Sequence, residues 1–210
     1  MKKLFTLLFV LSIFSIMSYV QMMIGPKAGL NMASIAGDDA DQILEGQTLD
    51  SRTGFAGGLF FMYQFSNMFA IQPEAYYTMK GATYSESGAD LTISLDYIEV
   101  PILVKFIIPI EGSAIKPSIF AGPSIGFNMT AKSKVEFDGE TQENDFKDDT
   151  KSTEFSLAFG GGLGFPVGNG ELGVDIRYIL GMSTFDDSSD PWDLKNNVIN
   201  FNLYYGFSLK

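Results

Sequence analysis

Two glutamates, Glu74 and Glu99, lie on alternating stretches of the chain where a pair of carboxylates could divide general-acid and general-base roles. Eight more ionisable residues share their side-chain parity: Lys27, Lys80, Lys105, Lys116, Lys132, Glu154, Asp175 and Arg177. Such a set could carry protons or ions, act as a catalytic pair, or simply hold a protein interior together. The 210 residues include no histidine and no cysteine. The commonest general base and metal ligand is therefore missing, as are disulfides, thiolate metal sites and a lipid-acylated cysteine. No nucleophile stands beside a base at a recognisable spacing, so no catalytic, cofactor or metal residues are expected. Six bases against four acids nearly neutralise one another, and buried charges must be paired. The ten are read as a structural lumen network. Arg177 is the expected hub, since its fork can hold two carboxylates, and Glu99 is the acid chosen to test its coupling.

Other candidates are weaker. Gly160-Gly161-Gly162 with Gly164 resembles a phosphate cradle, but no Lys-Ser/Thr follows and the run sits in an alternating strand. Its glycines are expected to leave room for a bulky neighbour such as Phe120 or Phe60. Acid gathers in three stretches: Asp38 to Asp50, Glu136 to Asp149 and Asp186 to Asp193. Calcium favours such oxygen-rich segments, but none has the spacing of a known calcium loop, so they read as solvated surface. Trp192, the sole tryptophan, follows Pro191 and suits either an interfacial anchor or a partner contact.

The elements that must position these residues are strands. From Lys116 to Lys132 the chain alternates without a break, with Pro117, Ile119, Ala121, Pro123, Ile125, Phe127, Met129 and Ala131 on the apolar parity. Successive strand side chains point to opposite faces. Seventeen residues exceed an ordinary globular strand, whereas a tilted bilayer crossing takes about 9–11. Eight such segments are expected, near 24–35, 53–65, 69–81, 95–108, 116–132, 153–167, 171–182 and 197–209. Short connections (66–68, 109–114, 168–170) alternate with long ones (36–52, 82–93, 133–152, 183–196). Outer-membrane barrels combine short periplasmic turns with longer extracellular loops. The fold expected is all-β: an eight-stranded antiparallel up-and-down transmembrane β-barrel. Pro73, Pro101, Pro117 and Pro123 fall inside strands, so bulges are expected there, with Pro101 opposite Pro73.

Lys2 and Lys3 followed by the apolar stretch 4–17 read as a cleavable signal peptide over 1–18, leaving one barrel domain over 19–210. Net charge is −11; losing Lys2 and Lys3 takes 14 basic residues to 12 against 25 acidic, or −13. So acidic a chain is a poor nucleic-acid binder.

Several stretches then resemble the PorT-like outer-membrane β-barrel family. They are Gly25-Pro26-Lys27-Ala28-Gly29-Leu30-Asn31, Ser51-Arg52-Thr53-Gly54-Phe55, Gln72-Pro73-Glu74 with Lys80-Gly81, Tyr97 through Lys105, Gly122-Pro123, and Asp175-Ile176-Arg177-Tyr178. The resemblance implies an eight-stranded barrel of the cell outer membrane. An accessory role in secretion would follow only by analogy with the member that names the family. The chain departs from the pattern in ending Phe207-Ser208-Leu209-Lys210 rather than on an aromatic, so the assembly signal would rest on Tyr205, Phe207 and Leu209. The expected function is that of a small closed non-enzymatic barrel with short periplasmic turns, serving structure or contact through acidic extracellular loops. Its expected partners are outer-membrane lipid, lipopolysaccharide and the insertion machinery, and the expected state is a monomer. The alternative is a soluble periplasmic barrel that binds an apolar ligand inside.

Overall fold

A computed structural model describes residues 21–43, 48–86 and 88–209; the signal-peptide region lies outside the described residues. Among the described residues nine strands run in chain order: β1 (Gln21–Ala36), β2 (Asp50–Gln64), β3 (Phe69–Glu86), β4 (Ala89–Ile107), β5 (Lys116–Phe137), β6 (Glu140–Asp145), β7 (Thr153–Val167), β8 (Gly170–Gly181) and β9 (Lys195–Leu209). All pair antiparallel, in the order β4-β3-β2-β1-β9-β8-β7-β5, and β4 pairs with β5 to close the ring. Eight strands therefore form the barrel, and β6 pairs with β5 alone. Closure satisfies the backbone within the ring, the condition for crossing a bilayer with strands. Among the described residues no helix is long and apolar enough to cross a membrane.

Alternation sets the two faces. Leu30, Leu59, Ile102, Val104, Ile119 and Phe155 point outward and are exposed, while Lys27, Phe60, Glu74, Leu103 and Arg177 point inward and are buried. The short connections fall at one end, between β2 and β3, β4 and β5, and β7 and β8. Ser66 shapes the first by accepting the backbone N–H of Phe69 (2.9 Å).

At the other end two expected loops are strands instead. β3 and β4 continue to Glu86 and Ala89, leaving a two-residue connection with Gly88 at φ 89°. The 133–152 stretch is mostly a hairpin of β5 and β6, turned by Asp138 (φ 48°) and Gly139 (φ 81°). That is the positive-φ geometry of a two-residue hairpin turn, for which Asp-Gly is a strong signal. β3, β4 and β5, at 18, 19 and 22 residues, thus overrun the length of a bilayer crossing. They form a wall that rises past the rim.

The strand prolines do not sit at bulges. Register between β3 and β4 is unchanged from Pro73↔Ile102 to Tyr76↔Glu99, and the paired ladder merely lapses between them. A lapse without a shift also separates Pro101↔Ser124 from Val104↔Ala121. A proline removes one donor, and the ring tolerates that single loss without inserting a residue. Pro101 falls one residue away from facing Pro73, opposite Glu74 by register. The shifts lie elsewhere, between Ser51 and Ala56 on β2 and at Met129 on β5, where Asp96↔Thr130 gives way to Tyr97↔Asn128.

Candidate functional site

The inward charges gather in two clusters. Near the turn end, Glu74 accepts both arms of the Arg177 fork (Nη1–Oε2 2.8 Å, Nη2–Oε1 3.1 Å), the Lys27 ammonium (3.0 Å) and the Gln72 amide (2.6 Å). Asp175 faces the same two bases, at 2.7 Å from Lys27 and 3.2 Å from Arg177, and accepts Asn202 Nδ2 at 2.8 Å. Two acids and two bases thus form a neutral square. The polar row continues from Asn202 through Asn200 to Asn31 and Thr78.

The second cluster centres on Lys80, 2.7 Å from Glu154 and 3.2 Å from Glu99. Ser124 and Ser156 donate to Glu99 Oε1 (2.9 and 3.3 Å), and Asn196 Nδ2 donates to Glu154 (2.6 Å). Glu99 Oε2 meets the Lys80 ammonium without a well-directed hydrogen bond. The Tyr97 ring lies 4.9 Å beneath the Lys80 ammonium, a cation–π contact.

Two expectations about these residues are corrected. Arg177 does hold two carboxylates, Glu74 and Asp175, but Glu99 is not one of them: it belongs to Lys80, so the lumen has two local centres. Lys132 lies outside the lumen, with an exposed ion pair to Glu143 at 2.5 Å. The cause is the bulge at Met129: an extra residue exchanges the two faces beyond it. Ala131, expected outside, is accordingly buried completely.

Lys116 sits at the turn-end rim, half-buried, 3.1 Å from Glu171. Lys105 is buried with no carboxylate in salt-bridge range among the described residues. It reaches Gln72 Oε1 at 3.5 Å and lies 5.4 Å from the Tyr204 ring centre. Glu171 was missed from sequence although it shares the parity of Asp175 and Arg177; it also accepts the Tyr204 hydroxyl at 3.1 Å. The inward asparagines and Gln72 carry polarity without charge and so give no ion-pair signal in the sequence. With Glu171 in and Lys132 out, Lys27, Lys80, Lys105, Lys116 and Arg177 balance Glu74, Glu99, Glu154, Glu171 and Asp175.

The β7 glycines face this charge row rather than an aromatic stack. A Cβ on Gly160 would meet Arg177 Cα at 2.8 Å, and one on Gly164 would meet the Glu171 carboxylate at 2.5 Å. Phe120 does lie opposite Gly160 in register, and its ring centre is 5.2 Å from the Arg177 guanidinium. Phe60 packs edge-on to Tyr204.

Apolar layers close the charged lumen. Met23, Phe60, Met62, Ala70 and Tyr204 cluster at the turn end. At the loop end Ile35, Ile93, Leu95 and Tyr97 pack with Phe185 and Leu194 from the connection between β8 and β9. That connection is latched: Asp186 accepts Trp192 N–H (2.8 Å) and Ser188 N–H (2.9 Å), and Asp39 accepts Asp193 N–H (2.8 Å). Among the described residues no three acidic side chains approach closely enough to hold a metal ion.

A closed antiparallel ring with an apolar exterior and a paired ionic interior is a membrane architecture, and residues 20–187 match the family described as outer membrane protein beta-barrel domain. The chain belongs to that family. This outer-membrane barrel resembles in fold several solved structures. Ail, the attachment invasion locus protein of Yersinia pestis, is 21% identical, over 88% of this chain and 98% of that one (TM-score 0.43). Neisserial surface protein A is 14% identical, over 86% and 95% (TM-score 0.48). OprG of Pseudomonas aeruginosa is 15% identical, over 90% and 95% (TM-score 0.41). None of the curated proteins matches the barrel. A soluble periplasmic barrel is set aside, because that alternative turns lysines outward and apolar side chains inward. Lys27, Lys80 and Lys105 instead lie inside, and Ile102, Val104 and Ile119 lie outside.

Proposed function

We propose that this outer-membrane barrel is a closed, non-conducting and non-enzymatic scaffold that holds an acidic contact surface at its loop end. The observation that carries this reading is the lumen itself. Its charges balance and its inward side chains are buried, and an eight-stranded barrel is just wide enough for side chains to fill. Glu74 and Glu99 belong to separate clusters, each held by a cation, so neither is free to act as a base beside a nucleophile.

The PorT-like resemblance supports placing the chain in that group, with periplasmic turns, extracellular loops and a monomeric state in lipid and lipopolysaccharide. A secretion-accessory role rests on analogy alone. Planar-bilayer recording of the pure folded protein tests the reading. Absence of stable porin-sized steps is expected, and reproducible large open-channel conductance would overturn it.

A further inference from the structure

β6 is the one described strand whose second side pairs with nothing: it ends the sheet order, and all six of its residues are exposed. An open edge presents unpaired backbone N–H and C=O groups, and proteins usually blunt such edges with charged side chains, lysine above all, or with proline or a bulge. Glu140-Thr141-Gln142-Glu143-Asn144-Asp145 has no lysine or proline, and its charges are all acidic, so it repels a like strand but not a basic one. Its register with β5 is regular from Lys132↔Asp145 to Phe137↔Glu140. The tight turn at Asp138 and Gly139 holds it there.

The charge pattern says what fits the edge. On the face turned away from the barrel axis, Lys132 stands opposite Asp145 and Lys134 opposite Glu143. Lys132 pairs diagonally with Glu143 and Lys134 with Glu136 of its own strand, so the cations lie on β5 and the edge strand itself presents Glu143 and Asp145; opposite charges on neighbouring strands stabilise pairing. A further strand beside β6 meets those two carboxylates at positions two residues apart, which calls for cations at alternate positions. A second copy of β6 would instead bring acidic edge against acidic edge, which like-charge repulsion disfavours.

We propose that β6 is a docking edge for an extended segment of another protein with lysine or arginine at alternate positions, which joins the sheet as an added strand. Main-chain hydrogen bonds would supply the attachment and the alternating cations the selectivity. The proposal rests on the loop end being a contact surface. A conducting pore would defeat the closed-scaffold reading without touching the strand-addition result, so the two fail separately.

The test uses the full chain, isotopically labelled in neutral-lipid nanodiscs, with backbone amide exchange read along residues 140–145. The probe is a short peptide of lysine alternating with threonine. Two controls have the same length: one alternates glutamate with threonine, and one carries the same lysines with a central proline. Saturable protection of the outward β6 amides by at least tenfold with the lysine peptide alone is expected. Replacing Glu143 and Asp145 together by lysine should transfer that protection to the glutamate peptide. The pair lies beyond the ring, so the barrel's heat-modifiable mobility on a gel should be unchanged and the variant remains interpretable. Unchanged exchange at β6, or equal protection by the proline peptide, would overturn the proposal, the latter by showing only diffuse attraction to the acidic loop end.

Discussion

The wall formed by β3, β4 and β5 contains two sheets in one, and they have opposite polarity. In its lower half Ile98, Ile102 and Val104 of β4 face outward and Glu99 and Lys105 face inward. In its upper half Asp90, Thr92 and Ser94 share that outward parity, while Leu91, Ile93 and Leu95 take the inward one. Where the outside solvent is lipid, the apolar side chains face out; where it is water, they turn in. The two strands achieve the inversion differently. β4 keeps its geometry and changes its sequence phase at the adjacent apolar pair Tyr97 and Ile98. β5 keeps its sequence phase past Met129 and changes its geometry with a bulge. A membrane boundary can thus be written either in residue order or in one inserted residue.

This contrast can be tested most severely in the ionic lumen of the lower half. Glu74→Gln leaves Lys27 and Arg177 short of a counter-charge and should cost about 3–5 kcal/mol in detergent unfolding. Combined with Arg177→Met it should be strongly non-additive. Glu99→Gln with Arg177→Met should add to within about 0.5 kcal/mol, since the two sit in different clusters. Large coupling in the second pair would restore a single hub.

Next comes the outer face. Ile102→Arg should cost about 2–4 kcal/mol in refolding into vesicles if it lies near the bilayer midplane. Thr92→Arg, on the same parity higher up the same strand, should fall within about 0.5 kcal/mol of zero. Equal costs would erase the boundary between the halves.

A smaller effect is expected at the projecting turn. Gly139→Val puts a β-branched residue where φ is 81° and should raise the energy of the hairpin by about 1–2 kcal/mol. Amide exchange across residues 140–145 should accelerate while the global melt stays put. A parallel fall in global stability would show that the projection is part of the barrel's cooperative unit.

The smallest effect concerns pH. Burial raises the Asp186 carboxyl, but the N–H groups of Trp192 and Ser188 outweigh it and hold the carboxyl below its ordinary value. A group depressed on folding contributes stability above its unfolded value of about 3.9 and loses it as pH falls through the folded value. Emission from Trp192 should therefore be flat from neutral pH to about 4 and change below it, a step that Asp186→Asn should abolish. An unchanged acid step in that variant would move the latch elsewhere.

Much of this was legible in residue order. Alternation named the outward set strand by strand, and turn residues located the short connections at 66–68 and 168–170. Asp138-Gly139 between alternating stretches already announced the β5–β6 hairpin, and the apolar doublet at Tyr97 and Ile98 announced the inversion. Both signals are local: the acid around Asp138-Gly139 gives that stretch the look of a solvated loop, and Tyr97-Ile98 falls near the start of a segment that alternates as one strand.

What the sequence by itself determined is what depends on nearest neighbours along the chain: period-two faces, the strands of the ring, turn chemistry, and the inward parity of Lys27, Glu74, Lys80, Glu99, Lys105, Glu154, Asp175 and Arg177. Only the tertiary structure decided which of these charges meet. Lys27 and Glu74 stand on β1 and β3, and Lys80 and Glu154 on β3 and β7, brought together across the lumen by the stagger of the closed ring. It also decided that Lys132 leaves the lumen, because a bulge is a relation between two paired strands and is not written in either strand alone.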